Sequence, residues 1–226
     1  MTVLEYALSV LTPLECFICK QEGDMLCSGC VQTQLPRQLS RCYICNGLTK
    51  QQQVCGSCRS RSRLRRVWWL GNYEEPLKDL VYAMKFNRRR AYARAFGELL
   101  AETVPYLPED TIVVPVPTAS KRIRQRGFGQ AVLLAQSFSK KRKLQLLQPL
   151  ARVSQVDQIG KRRSERMKQM ATSLELQDSR LVENANILLI DDVLTTGATL
   201  ETAATILRKA GAKHVDAAVV ARHLLR

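Results

Sequence analysis

The sequence has 226 residues, 46% of them hydrophobic, and carries 35 Lys and Arg against 20 Asp and Glu, a formal net charge of +15 with a pI near 9.8. That apolar content excludes a disordered chain, the length accommodates one ordinary domain plus a small satellite, and no apolar run reaches the ~18 residues of a membrane span. The charge favours polyanionic partners, either nucleic acid or phosphorylated metabolites.

The first segment, MTVLEYALSVLTPLECFIC, is apolar but interrupted by Glu5, with no basic stretch before it and no small-residue cleavage site after it. It reads as a short helix rather than a signal peptide, which predicts a cytoplasmic, reducing location. There the eight cysteines are expected to be thiolate ligands. All lie in residues 1–58, as four C-x-x-C knuckles: Cys16 and Cys19, Cys27 and Cys30, Cys42 and Cys45, Cys55 and Cys58. One knuckle puts two sulfurs on a tight turn, and two knuckles complete the tetrahedral sulfur shell that Zn2+ prefers, so two structural zinc ions are expected in a double zinc ribbon. The spacing leaves sequential and interleaved pairing of the knuckles both open. A segment this small would draw its folding free energy from the metal.

Residues 59–66 form a basic linker with Arg59, Arg61, Arg63, Arg65 and Arg66 and no acid. By default such a run is solvated; the preferred reading is an arm that contacts phosphates.

From Val67 onward strands and helices alternate, and residues 67–226 read as one domain. VWWLGNY is an entry strand. The next segment, EEPLKDLVYAMKF, places Leu77, Leu80, Val81 and Met84 on one helical face, with Pro76 near the start. AYARAFGELLAETV is a second helix, and TIVVPVP is a strand ended by its prolines. After RGFGQ a helix turns Ala131, Leu134, Ala135 and Phe138 to one side. NILLIDDV is an apolar strand, TLETAATILRKAGA a helix with Leu200, Ala203, Ala204 and Leu207 inward, and HVDAAVV the last strand. This alternation predicts an α/β fold, a mainly parallel sheet flanked by helices, with ligands at the carboxyl ends of the strands. Residues 154–170 are polar and basic without a period and read as a mobile loop of functional length.

The stretch ILLIDDVLTTGAT concentrates the chemistry. Asp191 and Asp192 emerge where the buried strand ends, and Thr195, Thr196, Gly197, Ala198 and Thr199 turn into a helix whose free N–H groups and dipole favour a phosphate. Carboxylates beside an anion cradle suit a sugar phosphate: the acids accept from two vicinal ribose hydroxyls while the loop holds the 5-phosphate.

These residues resemble the phosphoribosyl-pyrophosphate (PRPP) signature of type I phosphoribosyltransferases. The cysteine-rich start, YEEPLKDLVYAMKF, VPVPTASKRIRQRGFGQ and QIGKRRSERMKQM, in that order before LLIDDVLTTGAT, extend the resemblance over essentially the whole chain to the ComF/GntX family of competence and DNA-utilisation proteins. The resemblance implies a type I phosphoribosyltransferase-like domain behind a double zinc ribbon. It implies a factor for natural transformation or use of DNA as nutrient, acting on internalised single strands in the cytoplasm. PRPP or ribose 5-phosphate would bind at Asp191, Asp192 and Thr195 to Thr199, and Arg122 and Arg126 would lie near the pyrophosphate loop. Residues 161–168 would form the loop that closes the site. The chain departs from the family at Gly129, where asparagine is usual, and lacks an asparagine expected near Met167.

Three functions follow from these readings. A phosphoribosyltransferase of nucleotide metabolism or salvage would need Mg2+ on the pyrophosphate and cations to offset its departing charge, for which Lys85, Arg126, Arg163 and Arg166 lie in the matching segments beside Asp191 and Asp192. A single-stranded DNA binder would use the basic runs, including Arg122, Arg124, Arg162 and Arg163 besides the 59–66 arm, with Trp68, Trp69 and Phe128 as candidates for base stacking. A docking scaffold for other DNA-uptake proteins is the third.

Overall fold

Runs rich in Val, Ile, Leu and Ala are buried on both faces, as strands of a parallel sheet must be when helices cover it from either side. In the computed structural model, which describes residues 15–35, 38–86, 90–152 and 174–224, the sheet contains β1 (Val67–Asn72), β2 (Thr111–Pro115), β3 (Gln145–Leu146), β6 (Asn186–Leu194) and β7 (His214–Arg222). The order is β1-β7-β6-β2-β3 and every pairing is parallel. A separate antiparallel pair joins β4 (Leu150–Arg152) to β5 (Leu174–Leu176). The helices are α1 (Ser28–Gln34), α2 (Leu77–Phe86), α3 (Arg90–Thr103), α4 (Ser120–Arg126), α5 (Gln130–Arg142) and α6 (Ala198–Lys209).

The period-2 alternation of strand side chains divides the core in two. Ile187, Leu189, Ala217, Val219 and Trp69 face one way and meet Leu200, Ala203, Ala204 and Leu207 of α6. Leu188, Ile190, Ala218, Val220 and Trp68 face the other way and meet Leu77, Leu80, Val81 and Met84 of α2 together with apolar residues of α3 and α5. The predicted inward faces of α2, α5 and α6 are therefore the buried ones. Helices α3 and α5 approach so closely that a Cβ on Gly97 would stand 2.6 Å from the Leu134 carbonyl oxygen, which only glycine tolerates.

The cysteine segment is one unit built twice. In the first copy Lys20 N donates to Cys16 O and Cys16 N to Gln21 O; in the second Asn46 N donates to Cys42 O and Cys42 N to Gly47 O. Lys20 and Asn46 occupy the left-handed region at the same point of each turn, and bridges Glu15 to Glu22 and Arg41 to Leu48 close both. The knuckles pair sequentially: Cys16, Cys19, Cys27 and Cys30 form one cluster and Cys42, Cys45, Cys55 and Cys58 the other. The copies sit on opposite faces of the sheet. Phe17 of the first stacks on Tyr92 of α3 with ring centroids 3.7 Å apart, whereas Cys42, Tyr43, Val54 and Cys58 of the second join the α6 side of the core.

Residues 59–66, read above as a basic linker and by preference as a phosphate-contacting arm, lie against the sheet domain. Arg59 and Arg61 belong to a 3-10 turn (Gly56–Arg61), and Ser62 and Leu64 are buried. Arg59 donates to Leu64 O, Arg61 to Cys58 Sγ and Arg66 to Gln51 Oε1. Arg65 makes a forked pair with Asp216 of β7, at 3.0 and 2.6 Å. Asp216 is 5% exposed against 30% for Arg65, so Arg65→Ala strands a buried carboxylate. The expected cost is about 3 kcal/mol, the low end for breaking a buried pair because Arg65 is partly solvated. It is read as a lower denaturation midpoint in urea.

Trp68, Trp69 and Phe128, weighed above for base stacking, are all buried and serve the core. Residues 1–14 and 153–173 fall outside the described residues, and with them the predicted N-terminal helix, the 154–170 loop and Arg162, Arg163 and Arg166. Among the described residues no helix is long and apolar enough to cross a membrane.

Candidate functional site

Strand β6 does not stop at Ile190 but pairs with β7 as far as Leu194. Asp191 and Asp192 therefore sit on its last turns of pleat and point to alternate sides. They open into a cavity of about 540 Å³ at the carboxyl ends of the strands, where α/β sheets place their ligands. Lys85 at the end of α2, Thr118 and Ala119 after β2, Arg122 and Arg126 of α4, Gln130 of α5, Arg152 of β4, Thr195, Thr199, Tyr73 and His223 line it as well. Of the residues expected in the site, Asp191, Asp192, Thr195, Thr199, Lys85, Arg122 and Arg126 thus share one cavity.

The two acids differ in environment. Asp192 pairs with Lys85 at 3.0 Å. Asp191 accepts from Asp192 N at 2.8 Å, yet burial, followed by the Asp192 charge, pushes its carboxyl up to about 7, with Lys85 and Arg152 opposing the shift. Burial also lowers Arg126 and Arg152, though both remain cations at neutral pH. Among the described residues, four cations against two carboxylates make the cavity positive, suited to a ligand with several phosphate charges. Gln130 is buried with its amide Nε2 lacking a partner among the described residues, a donor on the cavity wall.

The threonine loop has the predicted form. Gly197 takes φ +79° and α6 begins at Ala198; Ala198 N donates to Thr196 Oγ1 at 3.3 Å and Glu201 N to Gly197 O at 2.8 Å. Thr195 and Thr199 face the main cavity, whereas Thr196 faces a neighbouring crevice of about 420 Å³ between the loop and the second cysteine unit.

That unit holds the loop from behind. A Cβ on Gly197 would stand 3.2 Å from the Tyr43 ring. Glu201, in the first turn of α6, accepts from the Tyr43 hydroxyl, the Ser62 hydroxyl and Arg63 N. Burial, reinforced by Glu201, raises the Tyr43 phenol and keeps it the protonated donor. Arg222 donates to Tyr43 O and Asn46 Oδ1 while lying over Trp69.

Sequence reading missed Tyr73, Gln130, Arg152 and His223 as cavity residues. Gln130 closes the RGFGQ motif and carried a signal; the other three come from strand ends with no pattern of their own.

Each cysteine cluster brings its four sulfurs within 4.8 Å of one another, with Cys19 to Cys27 at 3.8 Å and Cys45 to Cys55 at 3.5 Å. Tetrahedral Zn–S bonds of about 2.3 Å separate sulfurs by about 3.8 Å, so both clusters are compatible with structural zinc.

Residues 123–224 match the model of the phosphoribosyl transferase domain. The competence protein ComFC of Bacillus subtilis is 30% identical over 179 residues, covering 75% of this chain and 72% of that protein. Competence protein F of Haemophilus influenzae is 30% identical over 208 residues, covering 87% and 90% respectively. The chain belongs to the ComF/GntX family. The DNA utilization protein YhgH of Escherichia coli is 29% identical, covering 92% of this chain and 97% of that protein. The family-typical asparagine at 129 has room here: a Cβ on Gly129 would meet Val132 Cγ2 at 3.5 Å and Thr118 Oγ1 at 3.6 Å, ordinary contacts. In this ComF/GntX chain the start of α5 simply lacks a side-chain cap.

Proposed function

We propose that this protein is a cytoplasmic factor for DNA uptake in natural transformation, or for utilisation of DNA, that binds PRPP or ribose 5-phosphate at 191–199 and single-stranded DNA on its basic surface. The observation that carries the reading is the single cavity in which an acid pair, the start of a helix behind a threonine loop, and Lys85, Arg122, Arg126 and Arg152 converge. The relatives named for competence and DNA utilisation support the biological setting.

In this reading Asp191 and Asp192 accept the ribose 2- and 3-hydroxyls, Thr195 and Thr199 together with the loop N–H groups hold the 5-phosphate, and the cations and the Gln130 amide take the pyrophosphate. Mg2+ bound with PRPP would offset pyrophosphate charge, and the acid pair supplies oxygen donors of the kind it accepts. Two structural zinc ions hold the cysteine units. The segment 161–168, expected to close the site with Arg162, Arg163 and Arg166, lies outside the described residues, and other DNA-uptake proteins are candidate partners.

The raised Asp191 carboxyl, in one cavity with Lys85, Arg126 and Arg152, whose charges would offset that of departing pyrophosphate, favours a second reading, phosphoribosyl transfer. The nitrogen lone pair of an acceptor attacks C1, the C1–O bond breaks with its electron pair leaving on pyrophosphate, and the acceptor's proton passes to solvent. Pyrophosphate release in the presence of an acceptor tests it.

The same titration yields a pH prediction. A raised carboxyl pKa means that the folded protein holds a proton the unfolded chain has lost. The stability owed to Asp191 therefore falls as pH rises from about 4 towards 7. Ligand binding runs oppositely, because the ionised acid is the better acceptor. PRPP affinity is expected to rise about tenfold between pH 6 and 8 in calorimetric titrations, and the rise is expected to flatten in Asp191→Asn. An identical pH profile in that variant would count against Asp191 as a ligand.

A further inference from the structure

Helix α2 buries Leu77, Leu80, Val81 and Met84 and sends Lys85 into the cavity, yet it leaves two aromatic rings in solvent. Tyr82 is 57% and Phe86 54% exposed, and their rings lie 4.6 Å apart. The spacing of four residues puts both on one helical face. Arg126 reaches across from α4 and places its guanidinium 5.0 Å from the centre of the Phe86 ring. One turn earlier on α4, Ile123 is 39% exposed. Helix α4 reads SKRIRQR and has no acid. A surface pair of aromatics at this spacing stabilises an isolated helix only slightly. That gain does not explain two neighbouring rings left wet beside a row of cations at the rim of a polar cavity, with Ile123 also exposed on the helix that carries those cations.

We infer that Tyr82, Phe86 and Arg126 form a stacking platform at the rim of the cavity, which receives bases of a single-stranded nucleic acid while Arg122 and Arg124 follow its phosphates. The inference rests on the reading above that the protein binds single strands, and it assigns the surface that does so. Rings with exposed faces beside guanidinium groups are what sequence-independent single-strand binding uses, because every base has a π-face and every nucleotide a phosphate. The buried Trp68, Trp69 and Phe128 cannot serve this purpose. In the 59–66 segment, Arg59, Arg61, Arg65 and Arg66 already donate to partners inside the protein. A docked protein partner would also cover apolar side chains. The run of three arginines on α4, with Arg126 over the ring, complements a polyanion better.

The test is titration of a labelled oligothymidylate with the full-length protein, the double variant Tyr82→Ser with Phe86→Ser, and Phe86→Trp, at several salt concentrations. Both residues are exposed, so the variants should fold. The double Ser variant is expected to bind about tenfold or more weakly with an unchanged log–log salt slope, since stacking is lost and no phosphate contact is. Phe86→Trp is expected to retain binding and to show tryptophan quenching by the oligonucleotide beyond that of the parent. Ribose 5-phosphate affinity should be unaltered in all three proteins. A parent protein that binds the oligonucleotide while the double variant binds it equally well overturns the platform alone. A parent protein that does not bind it overturns the single-strand reading and the platform together. Loss of ribose 5-phosphate binding in the Ser variant also overturns the platform, because the effect would then run through the cavity.

Discussion

Cys42→Ser is expected to cost ligand affinity in the phosphate loop as well as the fold of the second cysteine unit, whereas Cys16→Ser is expected to cost only the first unit. Structural zinc contributes about 10–16 kcal/mol of folding free energy in isolated finger peptides, so loss of one of four ligands unfolds the turn it organises. Cys42 precedes Tyr43, whose ring backs Gly197, whose hydroxyl holds Glu201 at the first turn of α6, and whose carbonyl accepts from Arg222. Without that support the loop must be ordered by the ligand itself. Affinity for ribose 5-phosphate should fall about tenfold or more, equivalent to ~1.4 kcal/mol or more of lost preorganisation. The first unit packs on the opposite face through Phe17 and Tyr92, far from the loop. Its loss should lower the melting temperature and move affinity by no more than about twofold. Metal content by elemental analysis, near-UV circular dichroism and titration of both variants check the contrast. Equal losses of affinity would show that the second unit is not a specific support.

Much of the architecture was legible because helical and strand periods were strong where burial is strong. The residues chosen as inward on α2, α5 and α6 are buried, and LLIDDVLTTGAT announced a strand, an acid pair and a loop. What escaped is what local pattern cannot encode. Helix α4 has only Ile123 as an apolar residue and shows no period; its evidence is the arginines it carries to the cavity. The packing of the arginine run at 59–66 escaped because the counter-charge of Arg65, Asp216, is supplied by a strand 151 residues away. The strand NILLIDDV reads through its acids to Val193, but its pairing of Asp191 and Val193 with Val219 and Ala221 of β7 is invisible in β6 alone. Tyr73 and His223 reach the cavity because β1 and β7 end beside β6, and Arg152 because the separate β4–β5 pair lies over that end.

The central claim is that Asp191 and Asp192 hold a phosphoribosyl ligand. Replacing both with Asn preserves their size, removes the carboxylate pair in which burial and the Asp192 charge raise Asp191, and so should leave the protein folded, with Asp191→Asn somewhat stabilising at pH 8. It also removes two charged acceptors, each worth about 1.5–3 kcal/mol to a hydroxyl that depends on it. Lys85, freed from Asp192, would still attract pyrophosphate, so residual binding through the cations is expected to be weak and strongly salt-dependent. The direct measurement is calorimetric titration of PRPP with Mg2+ into the parent protein and into Asp191→Asn with Asp192→Asn. One saturable site in the parent and an affinity about a hundredfold or more lower in the folded double variant is the predicted result; equal affinities, or no binding by the parent, would contradict it.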